Sequence, residues 1–220
     1  MKNQKIKILM ILILMPLSTL TQAEAYLGIH GGINLAEDQR LRQNGYSFVQ
    51  MEFENNLKDA YTYGATAGWM FDVGIRPELE ISKTKNKLDQ FSDRIYEGNS
   101  STPAKGSLET TQVLTNLWYQ FPEISKLKPY LGFGLGYISV KGKSIETVDG
   151  KFGTLSDDVF GYQIGGGLGY SINPHLITSL DYRYIKTSEV DFGDVKGLPD
   201  GHVTTKYKSN ALKLSLNYLF

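Results

Sequence analysis

The chain has 220 residues, with 23 basic and 23 acidic side chains and no cysteine. The balanced charge argues against nucleic-acid binding, and the many Tyr and Phe residues argue against disorder. The absence of cysteine excludes disulfide bonds and thiolate metal sites. The slightly negative mean hydropathy excludes a bundle of membrane helices, but it does not exclude a membrane protein built from strands.

The N-terminus has the three parts of an export signal. Three lysines within the first seven residues precede an uninterrupted apolar run at 8–15, and a polar stretch then ends at Ala23 and Ala25. Eight apolar residues are too few to span a bilayer, which needs about 20 as a helix. We therefore predict a signal peptide at 1–25, Sec-dependent export with cleavage after Ala25 in preference to Ala23, and one mature domain at 26–220.

Eight later segments alternate between apolar residues and small or polar residues. In 131–137, for example, Leu, Phe, Leu and Tyr alternate with three glycines. A two-residue period is that of a strand with one apolar face, and no helical period of similar length competes with it. The segments are 27–35, 61–71, 73–82, 112–121, 131–137, 160–170, 176–185 and 210–220.

Short and long connections alternate between these segments. The short connections are Asp72 alone, 122–129 and 171–174, and the long ones are 36–60, 83–109, 141–158 and 186–208. This alternation predicts an all-β, eight-stranded, antiparallel up-and-down transmembrane β-barrel with short periplasmic turns and four long extracellular loops. Pro77 disagrees with a closed barrel, because it cannot donate to a strand ladder, so we expect a bulge there or a strand that starts after it.

The two faces of the strands favour a membrane barrel over a soluble sandwich. The polar face is rich in glycine, which suits a narrow interior that must hold long polar side chains. The apolar face places aromatic residues at both strand ends, where they would form belts at the two membrane interfaces. The periplasmic belt is predicted to contain Trp69, Phe71, Tyr119, Phe121, Tyr170, Tyr218 and Phe220, and the outer belt Tyr61, Tyr63, Tyr137, Phe160, Tyr162, Tyr182 and Tyr184.

Several motifs resemble the small outer-membrane β-barrel proteins, which include the transmembrane domain of OmpA, the OmpX and Ail group, and bacterial surface-antigen barrels. The matching stretches are 76–80, 129–137, 182–184 and 216–220. The C-terminus also resembles the signal read by the outer-membrane insertion machinery, with Lys213, Tyr218 and Phe220 in place and Ser215 at the usual glycine position. The resemblance implies location in the bacterial outer membrane. It also implies contact with outer-membrane lipids including lipopolysaccharide, periplasmic chaperones and the barrel-assembly machinery.

Charged and polar residues on the inward face form the first candidate site. They are His30, Arg76, Glu78, Glu80, Asp181, Arg183 and Lys213. Charges in so narrow an interior must pair, so we expect a structural salt-bridge network that fills the lumen. The alternative is a narrow gated ion path through rearranging pairs, which has been argued for this family. A wide diffusion pore would need about 16 strands.

Catalysis and adhesion are the remaining functional hypotheses. Lipid A-modifying enzymes share this barrel size, but His175 and Ser171 lie at the periplasmic end and His202 beside Asp200 has no serine partner, so we expect no catalytic site. No metal or cofactor motif is present, and the glycine run at 165–169 alternates within a strand. Charged and aromatic residues occur in the first two loops, at 40–42, 46–48, 83–87, Phe91 and Tyr96. Loops on a rigid scaffold commonly bind partners, so we expect a surface protein that adheres to host surface or matrix proteins, with a purely structural envelope role as the alternative.

Overall fold

Ten antiparallel strands account for nearly all of the residues that the structure, a computed structural model, describes: 23–36, 42–44, 54–93, 100–147, 150–152, 155–194 and 202–220. The strands are β1 (Ala23–Ala36), β2 (Arg42–Asn44), β3 (Glu54–Phe71), β4 (Ile75–Asp93), β5 (Ser100–Gln120), β6 (Leu127–Thr147), β7 (Gly150–Phe152), β8 (Leu155–Asn173), β9 (Leu176–Asp194) and β10 (His202–Leu219). None of the described residues lies in a helix that is long and apolar enough to cross a membrane.

Eight long strands close into a barrel. They pair in the order β1-β3-β4-β5-β6-β8-β9-β10, and β10 pairs back onto β1 from Tyr26 opposite Leu219 to Ala36 opposite Ser209. The short strands add to the wall at one end, with β2 on β10 and β7 on β6. The predicted eight-stranded up-and-down barrel is therefore confirmed. Strand β1 begins at Ala23, before the expected first mature residue Tyr26, and the cleavage point stays a prediction.

Three short connections lie together at one end of the barrel, which we call the turn end. The first joins β3 to β4 and spans three residues, 72–74, so the prediction that Asp72 alone connects these strands is wrong. Gly74 closes this turn with φ +82 and a 2.9 Å hydrogen bond from its amide to the Phe71 carbonyl. A positive φ is easily adopted only by glycine. The other two connect β5 to β6 and β8 to β9.

The opposite end, which we call the hairpin end, has longer strands than the sequence predicts. Most of the expected loop 83–109 is paired strand, because β4 continues to Asp93 and β5 begins opposite it at Ser100. Likewise, β6 continues to Thr147 and pairs with β7. Beyond the lipid the outward face no longer needs apolar residues, so the alternating signal disappears. These two long connections are therefore tall hairpins.

Pro77 is accommodated without a bulge. β4 begins before it, at Ile75, and the register with β5 runs without a shift from Arg76 to Glu78, so the expected bulge or late start is wrong. The Pro77 carbonyl lies beside Gly68 of β3, and in an antiparallel strand the amide nitrogen of the same residue points to the same side. Pairing with β3 reaches only as far as Glu78. The missing N–H therefore faces an unpaired part of the ladder.

The wall has an apolar outer face and a filled interior. On β6 the outward side chains Leu131, Phe133 and Leu135 are 53%, 51% and 47% exposed. Similar apolar side chains form the outward face of the seven other barrel strands. A continuous apolar ring would be unstable in water, whereas it matches the hydrocarbon region of a bilayer. The inward positions, by contrast, are predominantly glycine or buried polar side chains.

Candidate functional site

The structure brings the seven charged and polar residues predicted for the barrel interior into one buried layer, which we call the ionic layer. Its members are His30, Arg76, Glu78, Glu80, Asp181, Arg183 and Lys213. Three cationic side chains face three carboxylates, so the layer is neutral when His30 is uncharged. Neutrality matters because an uncompensated charge in a dry interior costs several kcal/mol, on the order of 3–5 when one partner of a pair is removed.

Glu80 is the centre of the ionic layer. Its carboxylate accepts a 2.6 Å hydrogen bond from Lys213 Nζ and 2.9 Å hydrogen bonds from the side-chain amides of Asn116 and Gln163. Arg183 Nη1 lies 3.9 Å from the same carboxylate. Glu80 lies on β4, and these four partners come from four other strands, β5, β8, β9 and β10. Glu80 thus ties most of the barrel circumference together across the lumen.

Arg183 and Asp181 form the second part of the layer. Their side chains, two residues apart on the inward face of β9, pair at 3.3 Å. Tyr130 donates a hydrogen bond to Asp181, and the Arg183 guanidinium lies 3.9 Å from the centre of the Trp118 ring. Such cation–π contacts stabilise a desolvated guanidinium by about 2 kcal/mol. The charge of Arg183 is therefore held by a carboxylate on one side and an aromatic face on the other.

Arg76 and Glu78 complete the layer on β4. Glu78 accepts hydrogen bonds from Tyr26 Oη at 2.7 Å and Trp118 Nε1 at 3.0 Å. The Arg76 guanidinium lies 4.4 Å from the Tyr130 ring centre. The aromatic residues Tyr26, Trp118 and Tyr130 were not among the predicted site residues, because that prediction rested on charged inward positions. Trp118 shares the inward-facing alternate positions of β5 with Gln112 and Asn116, so the alternation could have placed it inside the barrel.

Glycines on neighbouring strands make room for these large side chains. A Cβ atom on Gly132 would lie 2.5 Å from the Trp118 ring, and one on Gly165 would lie 2.6 Å from Arg183 Cδ. Real Cβ atoms do not approach so closely. The glycines therefore leave room beside the large inward side chains of the neighbouring strands, as a narrow barrel requires.

Apolar side chains close the lumen on both sides of the ionic layer. Toward the hairpin end they form a cluster of Leu114, Ile138, Val140, Val159, Ile185, Val190 and Tyr207. Toward the turn end, Tyr26, Ile177 and Leu219 pack together with Met70. The sequence prediction did not include these two apolar clusters. Between them, the ionic layer encloses a cavity of about 10 Å³, which is room for about one water molecule.

The filled lumen predicts an electrically silent barrel. Ions would have to displace the apolar cluster around Leu114 and Ile138 and break the Glu80–Lys213 contact at the same time. We therefore expect no conductance steps at either polarity when the purified protein is inserted into planar bilayers, under conditions in which a general porin conducts. Reproducible single-channel steps would contradict the filled lumen and restore the gated ion path.

The two tryptophans of the chain provide a test of which face meets lipid. Trp69 is 55% exposed on the outward face, whereas Trp118 is 1% exposed inside the lumen. In vesicles with brominated acyl chains, the Trp118→Phe variant keeps only Trp69, whose fluorescence should be strongly quenched by the lipids. The Trp69→Phe variant keeps only Trp118, whose fluorescence should be weakly quenched. Faster gel migration of unboiled samples verifies that both variants are folded. Equal quenching of the two variants would contradict the assignment of the faces.

The aromatic residues predicted for the two belts all lie on the outward face of their strands. Most are about half exposed, and Phe71, Tyr162 and Tyr184 are partly covered. Neighbouring rings form edge-to-face pairs, with centroids 5.1 Å apart for Tyr119–Phe121 and 6.2 Å apart for Tyr137–Phe160. Such pairs are the favoured geometry for aromatic contacts. A belt therefore borders the apolar band at each end.

The residues of the predicted insertion signal lie on β10 or just after it. Lys213 and Ser215 point inward, where Ser215 Oγ lies 3.3 Å from Asp181 Oδ2. Tyr218 and Phe220 point outward and pack edge to face at 5.2 Å. Lys213 therefore has a place in the folded barrel as a partner of Glu80, and recognition by the insertion machinery stays a prediction.

Among the contacts that the structure describes, His175 has no serine or carboxylate partner. His175 lies in the turn between β8 and β9, where its Nδ1 is 3.2 Å from the Leu219 carbonyl and its ring stacks on Tyr218. Its amide donates to Asn173. His202 starts β10, and Asp200 lies outside the described residues. Nor does any group of three or more His, Asp or Glu side chains within the described ranges approach the geometry of a metal site.

Comparison with known proteins agrees with this geometry. The chain is 28% identical over 209 residues to the outer membrane protein PagN of Salmonella typhimurium, which covers 86% of this chain and 83% of that protein. Its fold is similar to that of OprG from Pseudomonas aeruginosa, with a TM-score of 0.60 and 13% identity over 91% of this chain and 97% of the other. It is also similar to that of Neisserial surface protein A, with a TM-score of 0.53 and 16% identity over 91% of this chain and 100% of the other.

The family assignment rests on a match that covers almost the whole chain. Residues 8–220 match the outer membrane protein beta-barrel domain. The closed barrel and the apolar outward band are features of transmembrane β-barrels. The chain therefore belongs to the outer membrane protein beta-barrel family and is a small barrel of the bacterial outer membrane.

Proposed function

We propose that this barrel is a non-catalytic surface protein that binds host surface or matrix proteins through its extracellular hairpins. The observation that carries the proposal is the asymmetry between the two barrel ends. The turn end, which is periplasmic, has short connections, whereas strands at the hairpin end continue far beyond the lipid-facing band. Because the lumen is filled, the outer surface is the part of the molecule that remains for interaction with other molecules.

The hairpin of β4 and β5 illustrates the size of this surface. Outward apolar residues end at Ile81 on β4 and Val113 on β5, while β4 continues to Asp93. Twelve further residues at about 3.3 Å each, tilted as barrel strands are, raise the hairpin about 30 Å above the apolar band. A projection of that height reaches well beyond the lipid headgroups. Loops on rigid scaffolds commonly bind partners.

The loop residues singled out from the sequence have different places in this surface. Arg42 lies in β2, and Phe91 lies in β4 opposite Thr102. The residues at 40–41, 46–48 and Tyr96 lie outside the described residues. Lys83 and Lys85 stand at the base of the β4–β5 hairpin, where Lys85 pairs with Glu109 at 3.4 Å. The proposal therefore rests on the hairpins as a whole.

Shortening each hairpin at a paired register tests the proposal. In the β4–β5 hairpin, Lys87 pairs with Ser107, so an Asn-Gly turn joining these two residues replaces 88–106 without a change of register. The β6–β8 hairpin can be closed in the same way between Gly142 and Leu155. Equivalent deletions of the two other long connections complete the set. Adherence of bacteria that express each variant is then measured on host cells and on immobilised matrix proteins.

We expect at least one shortened variant to lose most of its adherence while the unboiled protein still migrates as a folded barrel. A non-adherent strain that gains adherence when it expresses the full chain is the matching positive control. Unchanged adherence across all four shortened variants would reject the adhesin proposal in favour of a structural envelope role.

A further inference from the structure

The upper parts of β9 and β10 form a hairpin that is only partly joined to the strands beside it. We call the segments 188–194 and 202–208 the lid hairpin. β9 pairs with β8 as far as Thr187 opposite Gly161, although β8 continues beyond this row. β10 ends its pairing with β1 at Ser209 and then pairs with the three residues of β2. Within the described residues, the pairing of β9 with β8 therefore stops where the lid hairpin begins.

A bulge in β9 lies at the base of the lid hairpin. The register of β9 with β10 shifts there, so that Thr187 and Ser188 together face Tyr207. The Thr187 hydroxyl accepts a 3.0 Å hydrogen bond from the Tyr207 amide and donates a 3.4 Å hydrogen bond to the Tyr207 carbonyl. A bulge bends its strand and interrupts the regular ladder. The base of the lid hairpin is therefore a bend, at the point where β9 leaves β8.

A carboxylate of β8 links the wall of the barrel to the lid hairpin. Asp157 Oδ2 accepts a 2.8 Å hydrogen bond from the Asp191 amide of β9, and Asp157 Oδ1 accepts one of 2.8 Å from the Asp158 amide of its own strand. The two strands have no register pair in this row. Hydrogen bonds to a charged acceptor are stronger than those between neutral groups. A side chain therefore takes the place of backbone pairing between β8 and the lid hairpin.

The lid hairpin covers the apolar cluster at the hairpin end of the lumen. Its Val190 and Tyr207 are buried and belong to the cluster that contains Leu114 and Ile138. Asn34 of β1 donates a 2.9 Å hydrogen bond to Tyr207 Oη. A two-stranded hairpin without further support is at best marginally stable in water. The closed position of the lid hairpin therefore depends on these contacts and on the carboxylate of β8.

We propose that the lid hairpin opens and closes as a unit, with the β9 bulge as its hinge and the Asp157 carboxylate as its latch. Segments with few pairing partners are those that open locally in a folded protein. Opening exposes the apolar cluster to the extracellular side, while the ionic layer below it keeps the lumen filled. The outer surface therefore has two forms, and the open form offers an apolar pocket that the closed form covers. The proposal does not depend on adhesion by the hairpins.

Hydrogen–deuterium exchange of the full barrel in lipid nanodiscs, followed by mass spectrometry, measures this opening. Asp157→Ala removes the latch, and Asp158→Ala is the matched control because it removes the same charge from the next position. The variant Asp157→Cys/Asp191→Cys locks the lid hairpin with a disulfide. The chain has no other cysteine, so the reduced form of this variant is the control for its oxidised form. Migration of the unboiled protein verifies that each variant is folded.

We expect the amides of 188–194 and 202–208 to exchange together in the unsubstituted protein, and faster than those of 176–185. Asp157→Ala should make exchange in the lid hairpin roughly 10- to 100-fold faster and leave 176–185 unchanged, while Asp158→Ala should have no such effect. The oxidised cysteine variant should exchange more slowly than its reduced form.

Exchange in the lid hairpin as slow as in 176–185 would overturn the proposal. So would equal exchange rates in the Asp157→Ala and Asp158→Ala variants, or in the oxidised and reduced cysteine variant. Failure of the two cysteines to form a disulfide would also contradict it, because the two strands would then be too far apart for a latch at this row.

Discussion

Replacing Glu80 by alanine is expected to destabilise the folded barrel by about 3–5 kcal/mol, because it leaves buried cations without a carboxylate. Lys213 loses its 2.6 Å hydrogen bond, and Arg183 keeps only Asp181 as a nearby ion-pair partner among the described contacts of its guanidinium. The amides of Asn116 and Gln163 lose an acceptor as well. Equilibrium unfolding by urea in phospholipid vesicles, followed by tryptophan fluorescence, measures the change.

Two further variants test whether the loss of stability comes from unpaired buried charge. Glu109→Gln removes a carboxylate from the outward pair with Lys85, where solvent screens the interaction, and should cost less than about 1 kcal/mol. The double variant Glu80→Leu/Lys213→Met removes both charges of the closest pair and should recover part of the loss. If Glu80→Ala destabilised the barrel no more than Glu109→Gln does, the ionic layer would not be a dry, coupled network.

Placing an arginine on the outward face at Phe133 is expected to cost about 2–4 kcal/mol of folding free energy, because the charge would lie near the bilayer midplane. Phe133 is 51% exposed on β6 between Leu131 and Leu135, midway along the apolar band. Urea unfolding in phospholipid vesicles measures this change in folding free energy.

Ser139→Arg is the matched control for this substitution. It lies on the same strand and the same face, one outward position beyond the tyrosine Tyr137, where an arginine should cost about 0–1 kcal/mol. Similar costs at positions 133 and 139 would show that the outward face of β6 is not immersed in hydrocarbon.

The architecture followed from the sequence because one physical constraint acts on every strand. Lipid on one side and a narrow lumen on the other impose a strict two-residue period, which is visible in 131–137 and in 210–220. Strand length was predicted less well. Lys83–Asp93 extends β4 beyond its last outward apolar residue, so the apolar alternation that identifies a lipid-facing strand is absent there. The accommodation of Pro77 could not be predicted either, because it depends on where the neighbouring strand stops pairing.

The interior was predictable in its residues but not in its contacts. Parity alone places Glu80, Arg183 and Lys213 inside, yet their meeting point depends on the stagger between strands, which a single sequence does not specify. The apolar cluster that includes Leu114 and Ile138 was not anticipated. These residues occupy inward positions, but the prediction treated apolar residues as outward-facing. Ion pairing and apolar packing together fill the lumen.

The central claim, that the chain crosses the outer membrane with its hairpins outside and its turns in the periplasm, can be tested with single cysteines. The chain has no cysteine of its own, so each substitution gives one labelling site. Lys141→Cys on the exposed hairpin end and Asp72→Cys in the first turn are treated with a membrane-impermeant maleimide in whole cells. We predict that Lys141→Cys is labelled in intact cells and that Asp72→Cys is labelled only after the outer membrane is permeabilised. Labelling of both sites in intact cells, or of neither before permeabilisation, would contradict the account.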